Sequence, residues 1–261
     1  MPSSPVTQSP SNFRDRAIAG AKKYLPPGFR RWVVGVQRKF HLQWPPAGTV
    51  RFGSFRRLTP ISPIFALDRG LPIERYYIEQ FLDRYRTDIQ GRGMEFGDTF
   101  YLDKFGGERL RQKDAFSVVA APGVTIVGDL QGDGPLPVAA FDCIVCTQTL
   151  QMIVDMPAAL RRLHSMLKPG GVLLVTSHGI SKIGRHLDRD HWGEYWHITQ
   201  AGARALFRDH FAGTSEVTGY GNVLSAISAL HGLASSELSK EELDHADRDY
   251  DVIVGIRAVK G

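Results

Sequence analysis

Between residues 92 and 101 the chain reads RGMEFGDTFY, with apolar Met94 and Phe96 on either side of Glu95 and a glycine at 97. A period of two predicts a short strand over 93–96, and the glycine predicts a sharp turn after it. Before it, Pro72 opens the stretch PIERYYIEQFLDRYRTDI, where Ile73, Tyr77, Phe81 and Tyr85 share a helix face with Ile78 and Leu82. After it, the pattern alternates between strand and helix. Strands are predicted at about 110–113 (ending at Asp114), at 124–127 (ending near Asp129) and at 141–146. Asp155 and Pro157 start a helix with Leu160, Leu163 and Leu167 on one face, and Lys168-Pro169-Gly170-Gly171 stops it. The continuous apolar run 172–176 suits a strand covered on both faces. Thr199 caps a helix to about 211. Strands at 217–220 and 250–259 close the chain, separated by a helical insertion at 222–245. The second half of that insertion begins with the capping-box pattern Ser239-x-x-Glu242.

The first 60 residues read differently. Residues 1–11 are rich in Ser and Pro and are expected to be disordered. Two short helical patterns follow. In the second, Phe29, Trp32, Val33, Val36 and Phe40 recur at helical spacing among Arg30, Arg31, Arg38 and Lys39. Such a helix suits either an anionic membrane surface or packing on this chain or a partner. Residues 1–60 hold eleven Lys/Arg and one acid, Asp15, a net +10; residues 61–261 hold 21 Lys/Arg and 26 Asp/Glu, a net −5. The basic character therefore belongs to an N-terminal arm (1–60), and a single domain is expected over 61–261.

Length and composition are those of an α/β domain with an extension, and no apolar run approaches the roughly 20 residues needed to cross a bilayer. The N-terminus lacks a secretory-signal layout, so the expected location is cytoplasmic, or peripheral to the inner membrane through the arm. Cys143 and Cys146 stand three apart in a predicted buried strand and so point to opposite faces. They are read as core residues, and no metal site is expected.

Strands alternating with helices imply a mostly parallel sheet, which binds ligands beyond the carboxyl ends of its strands. Gly97, Asp114, Asp129 and residues 147–151 would share that edge. Asp114 lies 17 residues after Gly97, near the ~20 expected of an acid that accepts hydrogen bonds from a ribose diol. Asp129 is placed to face an adenine.

The stretch FDCIVCTQTLQMI…LRRLHSMLKPGGVLLVT resembles the fourth strand, following helix and fifth strand of class I S-adenosylmethionine-dependent methyltransferases. The resemblance implies a Rossmann-like seven-stranded sheet, mostly parallel with an antiparallel last strand and helices on both faces. It implies S-adenosylmethionine as cofactor, held by Glu95, Gly97, Asp98, Thr99, Asp114, Asp129, Leu130 and Thr147. From LDRGLPIERYYIEQF through HWGEYWHIT to YGNVLSAISALHGLA, the chain is similar to a bacterial group associated with glycosyltransferases and surface-polysaccharide assembly. One departure is visible: Thr99 and Tyr101 occupy later glycine positions of the family's first motif. Thr99 could supply a hydroxyl there, and Tyr101 must turn away.

The stretch 177–199 leaves the cofactor edge carrying His178, Asp190, His191, Glu194 and His197 among Trp192, Tyr195 and Trp196. Aromatic faces beside polar groups suit a sugar or another polar ring. A methyl acceptor that is a hydroxyl needs a base, for which His191 and His178 are the candidates. The insertion 222–245 is expected to cap this pocket with Val223, Ile227 and Leu230 facing the domain. The expected function is methylation, at oxygen, of a saccharide or other small polar acceptor. The alternatives are a non-catalytic scaffold or regulator of glycan assembly, motivated by the altered turn, and an RNA methyltransferase, motivated by the basic arm. Against the second, the arm carries no recognisable RNA-binding module. No Gly-x-Gly-x-x-Gly follows the first strand, which argues against a nicotinamide oxidoreductase.

Overall fold

A computed structural model describes residues 26–40, 42, 45–184, 193–211 and 214–261. It divides into two compact units, 1–57 and 58–261. In the first unit, helix α1 (Pro27–Lys39) starts with proline at its first position and ends with Arg38 and Lys39, cations that suit the carbonyl end of a helix. Among the described residues no helix is long and apolar enough to cross a membrane.

The second unit is built on one sheet in the order β3-β2-β1-β4-β5-β7-β6. Its strands are β1 (Gly91–Phe96), β2 (Leu110–Ser117), β3 (Ile126–Val127), β4 (Phe141–Thr147), β5 (Leu167–His178), β6 (Ser215–Tyr220) and β7 (Ile253–Val259). Neighbours from β3 to β5 pair in parallel, and β7 runs antiparallel to both β5 and β6. The alternation predicted a mostly parallel sheet, and the seven strands with an antiparallel last strand are those the family resemblance implied.

Period-two side-chain alternation sorts the sheet into two cores. Met94, Ile144, Cys146, Leu173 and Val175 face helices α3 (Met156–Met166) and α4 (Gln200–Phe211). Cys143, Val145 and Leu174 face helix α2 (Ile73–Arg84). The two cysteines thus lie in different cores, each fully buried and free. Helix α2 comes close to β7 because residue 255 is glycine: a Cβ there would lie 2.5 Å from Cδ2 of Phe81. Burying Phe81 this way contributes about 2–3 kcal/mol.

The helix starts follow their predicted chemistry. Asp155 accepts the Ala158 N–H at 2.9 Å, and Thr199 Oγ1 accepts the Gly202 N–H at 3.1 Å. Ser239 and Glu242 form a reciprocal capping box at the start of α6 (Lys240–Asp244). Several boundaries differ from the sequence pattern, three of them with consequences for packing or the site. Helix α2 stops at Arg84, and residues 86–88 form a single 3-10 turn. β5 begins at Leu167, so the Pro-Gly-Gly turn is taken up within the strand. β2 runs past Asp114 to Ser117, pairing Glu95 with Ala115 and Phe96 with Phe116.

Helix α5 (Val223–Leu230) buries Ser225, Ala226, Ser228 and Ala229, and leaves Val223, Ile227 and Leu230 exposed, the reverse of the expected face. The reason is its attachment. The His231 carbonyl accepts the N–H groups of Ile61 and Ser62, and the Leu71 carbonyl accepts that of Ser235. Those bonds turn the small residues inward against α2.

Candidate active site

The carboxyl ends of β1, β4 and β5 bring Gly97, Thr147 and His178 to one edge. After β1, Glu95 turns its carboxylate back onto the chain and accepts the N–H groups of Tyr101 (3.2 Å) and Leu102 (2.9 Å). It caps the π-helical turn Leu102–Gly106. Burial pushes its carboxyl up to about 7, against the lowering effect of those two hydrogen bonds. Gly97 has φ +87°, and its N–H bonds the Phe116 carbonyl at 2.9 Å. A Cβ added at Gly97 would meet nothing within 4 Å, so the backbone is open to a ligand there.

The rest of the turn is occupied internally. Asp98 accepts the Phe100 N–H at 2.9 Å. Thr99 donates its hydroxyl to Asp103 at 2.9 Å, so that hydroxyl is directed to the turn itself. Tyr101 does turn away: its ring is buried, stacks on Phe105, and forms part of a cavity wall.

The sequence reading of Asp114 requires correction. Asp114 pairs with Met94 in the middle of the sheet, three residues before the end of β2. Its carboxylate accepts from Arg92 Nε (2.8 Å), Thr125 Oγ1 (2.9 Å) and Gln112 Nε2 (3.2 Å). It is a structural ion-pair partner, and Ser117 stands at the strand end. Asp142 is structural too, accepting the Arg92 N–H and Lys168 Nζ, each at 2.7 Å. Asp129 follows β3, is exposed, and accepts the Gln131 N–H at 2.8 Å; Leu130 beside it is buried.

A cavity of about 440 Å³ opens beside Tyr101 and Thr147. Its apolar wall includes Ile64, Phe65, Ile78 and Met152; its polar wall includes Gln148, Gln151, His178 and Glu194. Gln148 has φ +50°, a strained conformation for a side-chain residue. Its amide is tied to Thr176 and Gln151, and Gln151 accepts from Ser177. His178, the last residue of β5, has Nδ1 2.8 Å from Glu194 Oε1. Glu194 is 1% exposed, and its other oxygen accepts the Gly184 N–H. Burial pushes the Glu194 carboxyl up, but the bonds from His178 and Gly184 outweigh it and hold the group below its ordinary value. His197 Nε2 lies 3.4 Å from the same Glu194 oxygen. One donor atom from each of His178, Glu194 and His197 falls within 4.8 Å of the others, a set that also suits a divalent cation.

Several expectations about this wall change. His191, Asp190 and Trp192 lie outside the described residues. Tyr195 and Trp196 do not line the cavity, and Trp196 Nε1 donates to the Ile153 carbonyl at 2.9 Å. The cavity aromatics are Phe65 and Tyr101. The insertion does not cap it either: residues 63–67 and the start of α2, with Glu74 and Arg75, form that rim. Lys182 fastens this rim, donating to the Pro63 carbonyl with its ammonium 3.8 Å from the Phe65 ring centroid.

The open glycine turn after β1 and the cavity over β4 and β5 lie on the same carboxyl edge of the sheet. Residues 80–212, just over half of the chain, match the family described as Methyltransferase domain. The chain belongs to that family; S-adenosylmethionine is the cofactor that the sequence resemblance implies. Malonyl-[acyl-carrier protein] O-methyltransferase of Serratia marcescens is 27% identical over 121 residues, 43% of this chain and 47% of the relative, so the match spans about half of that protein. Among solved structures, an S-adenosylmethionine-dependent methyltransferase from Mesorhizobium loti is 16% identical, covering 72% of this chain and 98% of its own, at a TM-score of 0.44. One from Aquifex aeolicus is also 16% identical, covering 72% and 89%, at 0.41.

The open side of Gly97 fits the approach of this cofactor. The end of β2 fits it less well than expected, because a serine hydroxyl stands where a carboxylate would accept both ribose hydroxyls.

Proposed function

We propose that this methyltransferase transfers a methyl group to a hydroxyl oxygen of a saccharide or similar small polar acceptor. The observation that carries this reading is the His178–Glu194 pair on the wall of a cavity beside the cofactor turn. Glu194 holds the proton on Nδ1, which leaves Nε2 of His178 as the basic nitrogen available to the cavity. A base is wanted when the acceptor is an alcohol, which must lose its proton as it attacks.

In this reading Gly97, Asp98, Asp129, Leu130 and Thr147 lie along the cofactor, and Glu95 and Thr99 shape the turn that receives it. Bound S-adenosylmethionine supplies a methyl group already activated by a sulfonium. Everything else falls to the protein. The cavity aligns the acceptor oxygen with the methyl carbon and excludes water. Phe65 and Tyr101 offer flat apolar faces to a ring, and Gln148, held in place by Gln151 and Thr176, presents a polar edge to its hydroxyls. As the acceptor oxygen takes up the methyl group, its hydroxyl proton would pass to Nε2 of His178, and Glu194 would stabilise the resulting imidazolium. The group association with polysaccharide assembly, implied by the sequence resemblance, points the same way.

The test is transfer of a labelled methyl group from S-adenosylmethionine to a panel of nucleotide sugars, oligosaccharides and acyl thioesters. Label in an alkali-stable ether of a sugar supports the reading. Label found only in a base-labile ester would replace it with carboxyl methylation.

A further inference from the structure

We propose that helix α1 lies in the surface of a membrane containing anionic phospholipid. The helix reads PGFRRWVVGVQRK. Its own preference for helix is poor, with two glycines and three valines in thirteen residues. None of its thirteen residues is acidic. A helix this short and this composed is marginal in water, so its stability comes from whatever covers one face.

That face is defined. Phe29, Trp32, Val33, Val36 and Phe40 form one stripe. Trp32 is 63% exposed, Phe40 61% and Phe29 46%, and no residue of the helix is buried. The Phe29 and Trp32 rings sit 5.6 Å apart, a paired aromatic surface. Arg30 and Lys39 fall on the two sides of the stripe by helical spacing, with Arg31 and Arg38 on the opposite face.

Charge selects the occupant. From Arg16 to Arg57 the chain carries ten Lys/Arg and no acid. A bilayer with anionic headgroups offers hydrocarbon to the stripe and phosphate to the cations at once, and tryptophan favours that boundary. RNA would satisfy the cations but leave three large aromatic side chains in water. A membrane contact also goes beyond the methyl-transfer reading, because nothing in the cavity depends on it.

The experiment is flotation of the full chain with vesicles of phosphatidylcholine, with or without phosphatidylglycerol. Binding is expected only with phosphatidylglycerol, to weaken as salt rises, and to accompany a gain in helical circular dichroism. The triple variant F29A/W32A/F40A should bind about a hundredfold more weakly or worse. The quadruple variant R30Q/R31Q/R38Q/K39Q should lose about as much. Both should keep the thermal midpoint and S-adenosylhomocysteine affinity of the parent, which separates lost docking from a damaged fold. No binding to either vesicle, equal binding to both, or unchanged binding by the aromatic variant would overturn the proposal. So would binding of a single-stranded RNA by the full chain that depends on the cations and not on the aromatics, without vesicle binding.

Discussion

Arg92 donates from Nε to the Asp114 carboxylate at 2.8 Å, joining β1 to β2 in the middle of the sheet. Thr125 holds the second carboxylate oxygen at 2.9 Å. Were Asp114 at a strand end holding a ribose, D114A would abolish cofactor uptake and leave the fold intact. The geometry predicts the opposite. D114A strands a partly buried guanidinium and a hydroxyl, and should cost about 2–3 kcal/mol in urea unfolding. The folded fraction should bind S-adenosylhomocysteine within about threefold of the parent, since a difference near 0.6 kcal/mol is all that indirect displacement warrants. A folded, fully stable D114A that binds no ligand would restore the ribose role.

Gly97 and Asp129 should behave as a contrasting pair. At φ +87°, alanine at 97 costs roughly 1–2 kcal/mol of backbone strain. Its methyl group would also enter the open space offered to the cofactor, so affinity for S-adenosylhomocysteine by calorimetry should fall at least about tenfold, or 1.4 kcal/mol. Asp129 is exposed after β3, so D129A should leave the urea midpoint alone and still weaken binding about tenfold, the loss of one hydrogen bond to a charged acceptor. Parent-like affinity in both variants would move the adenosine away from this edge.

How far the chain could be read without coordinates depended on the range of each interaction. The turn at Gly97, the Asp155 and Ser239 caps and the two-faced cysteine strand are local patterns, and each formed as its residues imply. β2 was cut short because Lys113-Asp114 looks like a strand end. Its continuation through Ala115 and Phe116 rests on Arg92 and Thr125, which only the folded sheet brings to the aspartate. The same limit hid the pairing of His178 with Glu194. His178 and Glu194 both stood out as polar residues, but sixteen residues separate them, and no spacing rule joins a strand end to a loop. The rim at residues 63–67 was invisible for a related reason: its place is set by backbone bonds to His231, on an insertion assigned the wrong buried face.

Glu95 gives the fold a pH dependence of unusual sign. Its carboxyl is pushed up to about 7 in the folded protein from an ordinary 4.5. Between those values the folded state holds a proton that the unfolded chain has released. The contribution is therefore fully present below about pH 4.5 and is lost as pH rises through about 7, an effect of about 3 kcal/mol. E95Q cannot titrate. It should lack this decline, while losing about 1–2 kcal/mol throughout because one amide displaces a second acceptor for Tyr101 and Leu102. Urea midpoints of both proteins across this range give the comparison, and parallel curves would show that Glu95 is ionised throughout.

The His178–Glu194 pair carries the sharpest catalytic prediction. If Nε2 takes the acceptor proton, H178Q should lower kcat by about 10²–10⁴ with little change in cofactor affinity, because the ring is asked only to move a proton. E194Q keeps an acceptor near Nδ1 but removes the charge that steadies the imidazolium, so its loss should be smaller, about 10–10². Proton transfer to Nε2 should show as a solvent isotope effect on kcat in the parent that is absent in H178Q, whereas a positioning role alone would lower the rate and leave that effect in place. Since His197 completes a possible metal-binding set with the same two residues, the rate should also be measured after chelation. An unchanged rate keeps the proton-transfer assignment. A rate abolished by chelator and restored by zinc would mean that the pair holds a cation, and that the acceptor is activated by it.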